Sequence, residues 1–577
     1  NNANQDLGVN HLKNKDPLLE LESANNNDSN SNSKPLTLIR VGFVSAHYRR
    51  HSICKLFCGS ITSLSNDPRF QITLFSALQE NREDSTTKSL IEHIKSSNEG
   101  RQKDENGSSG NRHEFVRIGK TLVSNRYEVL NRNIDVLIYL DVGMDPATMI
   151  WAGSRLAPFQ ACLWGHPTTT GMAHMDYFIS SNDYHIDNEM KFIKSPQYHN
   201  KNNNENNNKN KNEYDDIRKG NNDDATIPTF TNAEDNKVVN NNGDIVLMSD
   251  SSPYSSYSYE RFSEQLIMFD TLGFTFVRPH IANIPSFSGM ESYDTLADRK
   301  DDYYSQLITE INKKLKPAKP TPSASVVKGD KSNLSKLSKV PKNEKSLITL
   351  RSLIEDKSTN KIKLALCPQH LPKLHSDMDE VFKGILEKNK KTRIILVYDS
   401  DKKQQWRRTL ENRWKLTIGD NLIKNRIIWL ENLKPQEYLI LLIIGDMMLD
   451  PFPFGGGVTT LESLSVCTPV ITLPSKQTVP SLAAGQLRTL ATGNDMPYLN
   501  LNITDIDTYD AKFLKFINNE LIVEDVNEYI NKVNWFLDDK QNKNMKLLRK
   551  EICQRSDRLY DVDEVADDWK EFLLRLK

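Results

Sequence analysis

The chain predicts an α/β protein built from two doubly wound parallel-sheet lobes that face a cleft. Three observations carry that reading. Apolar strand-like runs alternate with amphipathic helix-like runs over residues 36–183, the same alternation returns over 359–577, and the residues with useful chemistry collect in loops that follow strands. Parallel neighbours need a crossover, and a helix supplies it.

In the first lobe, LTLIRVGFVS (37–46) reads as a strand, 53–64 as an amphipathic helix and FQITLFSA (70–77) as a second strand. A polar insertion over 80–112 interrupts the series. Helix 119–132, strand 134–143, helix 147–155, strand 159–164 and the segment MDYFISSND (175–183) then resume it. The second lobe runs strand 361–367, helix 376–389, strand 393–399, helix 403–414, strand 426–430, helix 435–444, strand 447–451, helix 458–466, strand 469–474 and helix 480–491. Residues 525–577 read as terminal helices, the last packing back across the lobes.

Between these series the composition changes. Residues 1–35 are a polar tail, 184–258 a mostly disordered Asn-rich insertion containing NKNNNENNNKNKN, and 301–358 a Lys/Ser/Pro-rich linker. The apolar YERFSEQLIMFDTLGFTF (259–276) opens a segment, 259–300, that rejoins the first lobe. Such polar tracts bury too little surface to offset the entropy of ordering them.

The formal net charge is -1 with 75 Lys and Arg against 76 Asp and Glu. No basic face dominates, which argues against nucleic acid as the main partner. No apolar run is long enough to span a bilayer, so a membrane partner is not expected. The six cysteines (54, 58, 162, 367, 467 and 553) sit mostly in apolar segments without a CxxC pair. They read as small core residues of an intracellular, reducing compartment rather than as metal ligands. The chain begins at Asn1 without an initiator Met or an apolar leader, as a fragment would.

The candidate site starts at DPFPFGGGVTTLE (450–462), where an apolar strand empties into three glycines and then a helix start. Glycines 455–457, including Gly456 and Gly457, permit positive φ and close ligand approach. Val458, Thr459 and Thr460 open a helix whose unpaired N–H groups and positive end favour an anion. A strand-to-helix loop with no ligand is the plain alternative. At the mouth of strand 361–367, CPQHLPKLHSD places Gln369, His370 and Lys373 beyond the same sheet edge, where Lys373 can neutralise a diphosphate. In the first lobe SAHYRRHSICK (45–55) and WGHPTTTGMAHMDYF (164–178) follow strands and face the same cleft.

With these segments in hand, the chain resembles the catalytic region of the O-GlcNAc transferase and SPINDLY group of glycosyltransferases, which has the GT-B fold. The motifs are VGFVSAHYRRHS, RLAPFQACLWGHPTTTG with MDYFISSND, EQLIMFDTLG, CPQHLPKLH and LDPFPFGGGVTTLESLSVCTPVITLP, in the family's order. The resemblance implies inverting transfer of a sugar from a nucleotide diphosphate to Ser or Thr of intracellular proteins, in cytoplasm or nucleus. It implies no cofactor and no metal. It assigns Lys373 and the Thr459–Thr460 pair to the diphosphate, with Gln369 and His370 beside it. His51 matches the family's active-site histidine, to orient the acceptor or take its proton. Tyr438 falls where a ring meets the nucleotide base, and Glu462 within reach of ribose hydroxyls. His166, Pro167, Thr169 and Asp141 fall on the acceptor and sugar side; Asp141 and Asp145 also read as caps of helix 147–155.

The chain departs from the animal enzymes in having Val458 where they carry a histidine, and Glu462–Ser463 where they carry an aspartate. UDP-GlcNAc is the expected donor, and the VTTLES form also has SPINDLY character, which implies GDP-fucose. The helical repeats that precede this region in the family are absent from the chain. Asp399-Ser400-Asp401 has a metal-binding DxD form, but it reads as a helix cap. The rival functions are a non-catalytic GT-B relic that binds nucleotide sugar and a small-molecule enzyme such as a sugar epimerase.

Overall fold

Ile39–Ser45 (β1) lies at the centre of the first lobe because its apolar run is buried on both faces, as a strand covered by helices must be. The chain is described by a computed structural model for residues 38–98, 112–118, 121–166, 168–184, 238–239, 245–246, 262–279, 301–315, 342–398, 405–431, 433–474, 481–493, 509–560 and 563–576. After β1 come Ser52–Ser65 (α1), Phe70–Ser76 (β2), Ser85–Ser96 (α2), Glu114–Arg117 (β3), Leu122–Leu130 (α3), Val136–Tyr139 (β4), Pro146–Ala152 (α4), Phe159–Leu163 (β5), Tyr177–Ser181 (β6) and Gln265–Phe269 (β7). All seven strands pair in parallel, in the order β3-β2-β1-β4-β5-β6-β7. The 259–276 run thus enters the first sheet as its edge strand, with Ile179 opposite Ile267.

The second lobe contains Asp301–Lys314 (α5), Lys342–Ser358 (α6), Lys363–Cys367 (β8), Asp377–Lys388 (α7), Thr392–Tyr398 (β9), Gln405–Thr417 (α8), Asp420–Arg426 (α9), Ile427–Glu431 (β10), Pro435–Ile444 (α10), Met447–Leu449 (β11), Val458–Ser465 (α11), Val470–Ile471 (β12) and Leu482–Thr492 (α12). Its parallel sheet has the order β10-β9-β8-β11-β12. In both sheets the order reverses beside the first strand of the lobe, which opens a crevice at the carboxyl ends of the strands. The helix α10 is apolar on every side, and the residues from Leu439 to Ile444 are buried, so it belongs to the core.

Four helices, Tyr509–Glu520 (α13), Val526–Phe536 (α14), Asn542–Arg555 (α15) and Asp563–Arg575 (α16), finish the chain. The last returns to the first lobe. Trp569 packs edge-on against Phe43 and Phe269, and Asp568 accepts hydrogen bonds from the Thr271 N–H (2.9 Å) and hydroxyl (2.6 Å).

Three expectations need correction. The 301–358 stretch is not only linker: α5 and α6 bury Leu307, Ile311, Leu350 and Ile354, and Lys357 pairs with Asp446 beside β8. Apolar residues at helical spacing suffice even in a lysine-rich context. The 80–112 insertion contains α2, started by Asp84, whose side chain accepts from the Thr86 and Thr87 N–H groups. Finally, Cys54 is bonded to Cys58 and Cys467 to Cys553, so four cysteines are not free thiols, while Cys162 and Cys367 are free and buried. The 1–35 tail and nearly all of 184–258 lie outside the described residues; a short pairing of Val238–Val239 with Ile245–Val246 falls within the latter. No described helix is long and apolar enough to cross a membrane.

Candidate functional site

The glycine loop is shaped by Asp450, at the end of β11. This buried carboxylate accepts the Gly456 N–H (2.6 Å) and the Thr472 hydroxyl (2.8 Å). Burial pushes its pKa up to about 6, against the pull of those two bonds and of Lys373. In the sequence Asp450 stands out only as the boundary of the glycine motif. A signal was there nonetheless, since a carboxylate six residues before a backbone turn is a ready anchor for bare N–H groups. The loop needs glycine for space and not for positive φ, a correction to the expectation, because none of the three has positive φ. A Cβ on Gly455 would lie 2.6 Å from Asp450 Oδ2, and one on Gly456 would collide with Gln369 and Thr459.

Lys373 ends a short 3-10 turn after β8 and points into this loop. Its ammonium donates to the Gly455 carbonyl (2.8 Å) and sits 4.7 Å over the Phe454 ring. Burial lowers its pKa, which Asp450 partly offsets. Gln369 is buried and donates from Nε2 to the Thr459 hydroxyl oxygen (2.5 Å), leaving that hydroxyl's own proton to be donated elsewhere. Gln369, Lys373, Thr459 and the start of α11 therefore meet at one place, with His370 exposed at the start of the 3-10 turn. Thr460 does not join them by its side chain: it is fully buried, and its hydroxyl donates back to the Gly456 carbonyl (3.3 Å).

Across the cleft, His51 is the N-cap of α1. Its Nδ1 accepts the Ile53 N–H (3.3 Å), so the neutral ring carries its proton on Nε2 and presents a donor. Its ring stacks on His47 at 4.0 Å, and burial, then the neighbouring His47, lower its pKa to about 4. Asp141 lies beyond β4 and is not a helix cap. Its Oδ2 accepts from the Ser45 hydroxyl (2.8 Å) and the Ala46 N–H (2.9 Å), with His47 Nε2 at 4.0 Å, while Asp145 caps α4 through the Ala147 N–H (2.9 Å). Burial raises the Asp141 pKa to about 6. A carboxylate fixed at the strand end thus sets the loop that carries both histidines.

The WGHPTTTG loop divides. The His166 ring approaches Phe454 of the second lobe at 6.1 Å and its Nδ1 meets the Thr168 hydroxyl at 2.8 Å, which places it in the cleft near Lys373's aromatic partner. Thr169 instead donates to Glu264 (2.7 Å) and meets the Ser263 hydroxyl (2.8 Å), tying the loop to the segment before β7. It has a structural partner and is not brought to the Lys373 cluster. Pro167 lies outside the described residues, as does the Asp399-Ser400-Asp401 triplet.

Two residues expected on the donor side have protein partners of their own. Glu462 accepts from Lys55 of α1 (2.6 Å) and so bridges the lobes. The Tyr438 ring packs against the core, and its buried hydroxyl has no hydrogen-bond partner among the described residues. Burial, with Glu462 and Cys367 nearby, raises its pKa well above the ordinary value. Among the described residues no group of three or more His, Cys, Asp and Glu could hold a metal ion.

No family model and no curated protein matches the sequence. Solved structures do. An O-GlcNAc transferase mutant of Thermobaculum terrenum superposes with a TM-score of 0.51 at 13% identity, covering 95% of this chain and 69% of that one. HepE of Anabaena in complex with UDP and glucose aligns with a TM-score of 0.38 at 9% identity, over 93% of this chain and 100% of that one. The N-terminal domain of a Candida albicans trehalose-6-phosphate phosphatase aligns with a TM-score of 0.40 at 10% identity, over 95% and 99%. The first of these likenesses, with the two parallel sheets, gives the chain the GT-B architecture.

Proposed function

We propose that the protein is a glycosyltransferase that moves a sugar, with inversion, from a nucleotide diphosphate to Ser or Thr hydroxyls of proteins. UDP-GlcNAc is the first donor to test. The observation that carries the reading is the convergence of Lys373, Gln369, Thr459 and the bare start of α11 on one point opposite His51 and His166.

Each part has a chemical task. Negative charge grows on the diphosphate as the sugar leaves, and donors already aimed at that charge lower the barrier more than any other single device in such catalysis. Lys373 brings a cation, and the Thr459 hydroxyl and the first N–H groups of α11 bring neutral donors. Asp450 holds the Gly456 N–H and so fixes the loop in advance. His51 is neutral near pH 7 and offers Nε2–H, which suits holding an acceptor or sugar oxygen better than removing a proton. We assign it that positioning role. The reaction is proposed to need no metal.

A SPINDLY-like fucosyltransferase using GDP-fucose is the second reading. The VTTLES form, with Val458 buried where the animal enzymes place a histidine, favours it. A Ser/Thr peptide library incubated with the protein and either donor, with and without a chelator, tests both by mass spectrometry. Addition of an N-acetylhexosamine supports the first and of a deoxyhexose the second. Hydrolysis or transfer of neither donor by folded protein overturns the assignment, and loss of activity with chelator overturns the metal-free mechanism.

A further inference from the structure

The loop between β1 and α1 carries charge that the diphosphate site does not use. Arg49 is half-buried there, with its backbone N–H on the His47 carbonyl (2.7 Å) and its side-chain Nε shut off from solvent without a hydrogen-bond partner among the described residues. The loop is docked on the turn after β2 by the Arg50 N–H to Asp84 (2.8 Å) and by Thr87 to the Tyr48 carbonyl (2.5 Å). That docking brings exposed Arg82 to the same rim, near enough to act on the charge of both His47 and His51.

Asp141, beneath the loop, is held by the Ser45 hydroxyl and the Ala46 N–H. Asp84 caps α2, Glu83 pairs with Arg117 (2.7 Å), Asp145 caps α4 and Glu462 holds Lys55. Among the described residues neither Arg49 nor Arg82 forms an ion pair. A guanidinium kept half out of water without a counter-charge is costly, and the positive end of α1 beside it adds to the field. An incoming anion relieves both. The diphosphate is already met on the second lobe, so this anion belongs to the other substrate.

We infer that Arg49 and Arg82 form an anion subsite on the acceptor side of the cleft, selecting protein segments with Asp or Glu beside the hydroxyl that is modified. This rests on the proposed protein-acceptor reading. Neither residue is assigned to the chemical step. They set which acceptor stays.

The test reads binding, so it stands apart from turnover. Fluorescence anisotropy of the full chain is measured with a labelled Ser/Thr peptide flanked by Asp and Glu, and with its Asn/Gln counterpart, at low and high salt. The acidic peptide should bind about tenfold more tightly, the advantage shrinking with salt. Arg49→Gln with Arg82→Gln should erase the difference, and Arg49→Lys should restore part of it. Heat protection by UDP or GDP, expected to be unchanged, reports the other lobe. Equal binding of the two peptides, or a preference that survives the double change, overturns the subsite. Binding of a single-stranded oligonucleotide that competes on the same arginines with higher affinity overturns the acidic-peptide identity. An acidic preference in a protein that uses neither sugar donor leaves the subsite standing and removes the proposed activity; transfer without charge preference does the reverse.

Discussion

Replacing Lys373 with Ala separates what the residue does for the fold from what it does for the reaction. In the fold it contributes a charged hydrogen bond to the Gly455 carbonyl and a cation held over Phe454. These are worth about 1.5–3 and 0.5–2 kcal/mol on general grounds. The burial that depresses its pKa works against both, so the net loss of stability should be only about 1–2 kcal/mol. In the proposed reaction it faces the charge that develops on the leaving diphosphate. One preorganised donor to such charge is worth about 2.7–4 kcal/mol, or two to three orders of magnitude in rate. Single-turnover transfer with saturating donor should therefore fall by about 100- to 1,000-fold, while the midpoint of thermal unfolding moves by a few degrees. Transfer within a few-fold of the parent would refute the leaving-group assignment. A collapse of the unfolding transition would instead show that Lys373 builds the loop.

Three further outcomes follow from the geometry. His51→Asn keeps an N-cap side chain for α1 while removing the imidazole, so stability at pH 7 should hold while transfer drops by at least about tenfold; equal activity would remove His51 from the site. Because the folded pKa of His51, about 4, lies below its ordinary 6.5, its contribution to stability is present above pH 6.5 and lost as pH falls toward 4, and melts of the variant should be less acid-sensitive across that window. Asp450 has the opposite sign: its folded pKa of about 6 exceeds 3.8, so its contribution is full below 3.8 and fades as pH rises through 6. Asp450→Asn should cost about 1–3 kcal/mol at pH 5 through a mispaired Gly456 N–H or Thr472 hydroxyl, and less at pH 7; a deficit that grows with pH would contradict this. Thiol titration of denatured, unreduced protein should find two reactive cysteines, Cys162 and Cys367, and six after reduction. Six without reductant would remove both bridges.

Sequence pattern reached the strands and the helices with a clear apolar face. The helix expected over 435–444 is Pro435–Ile444 to the residue, because a proline begins it and a glycine follows it. The pattern failed where few apolar residues hold a helix. In Ser85–Ser96 only Thr87, Leu90 and Ile94 are buried, and the capping aspartate was the better signal. Lys342–Ser358 was hidden by its lysines. In the site, spacing brought Gln369, Lys373 and Thr459 to one sheet edge correctly, since loops after parallel strands must meet there. Side-chain direction was beyond it. Thr459 and Thr460 look alike in sequence, yet one faces the cleft and the other its own helix turn. The Lys55–Glu462 bridge joins residues 407 positions apart, and the Thr169–Glu264 bond joins two sides of an insertion. No local pattern encodes either.

The return of α16 has a consequence for anyone cutting or joining this chain. Trp569 fills a space between Phe43 of β1 and Phe269 of β7, so the last helix completes a core begun at the first strand. Dividing the gene between β7 and α5 would yield one half lacking its keystone and another carrying an orphaned amphipathic helix. The two pieces should recover only when mixed, which makes the break a natural place for fragment complementation.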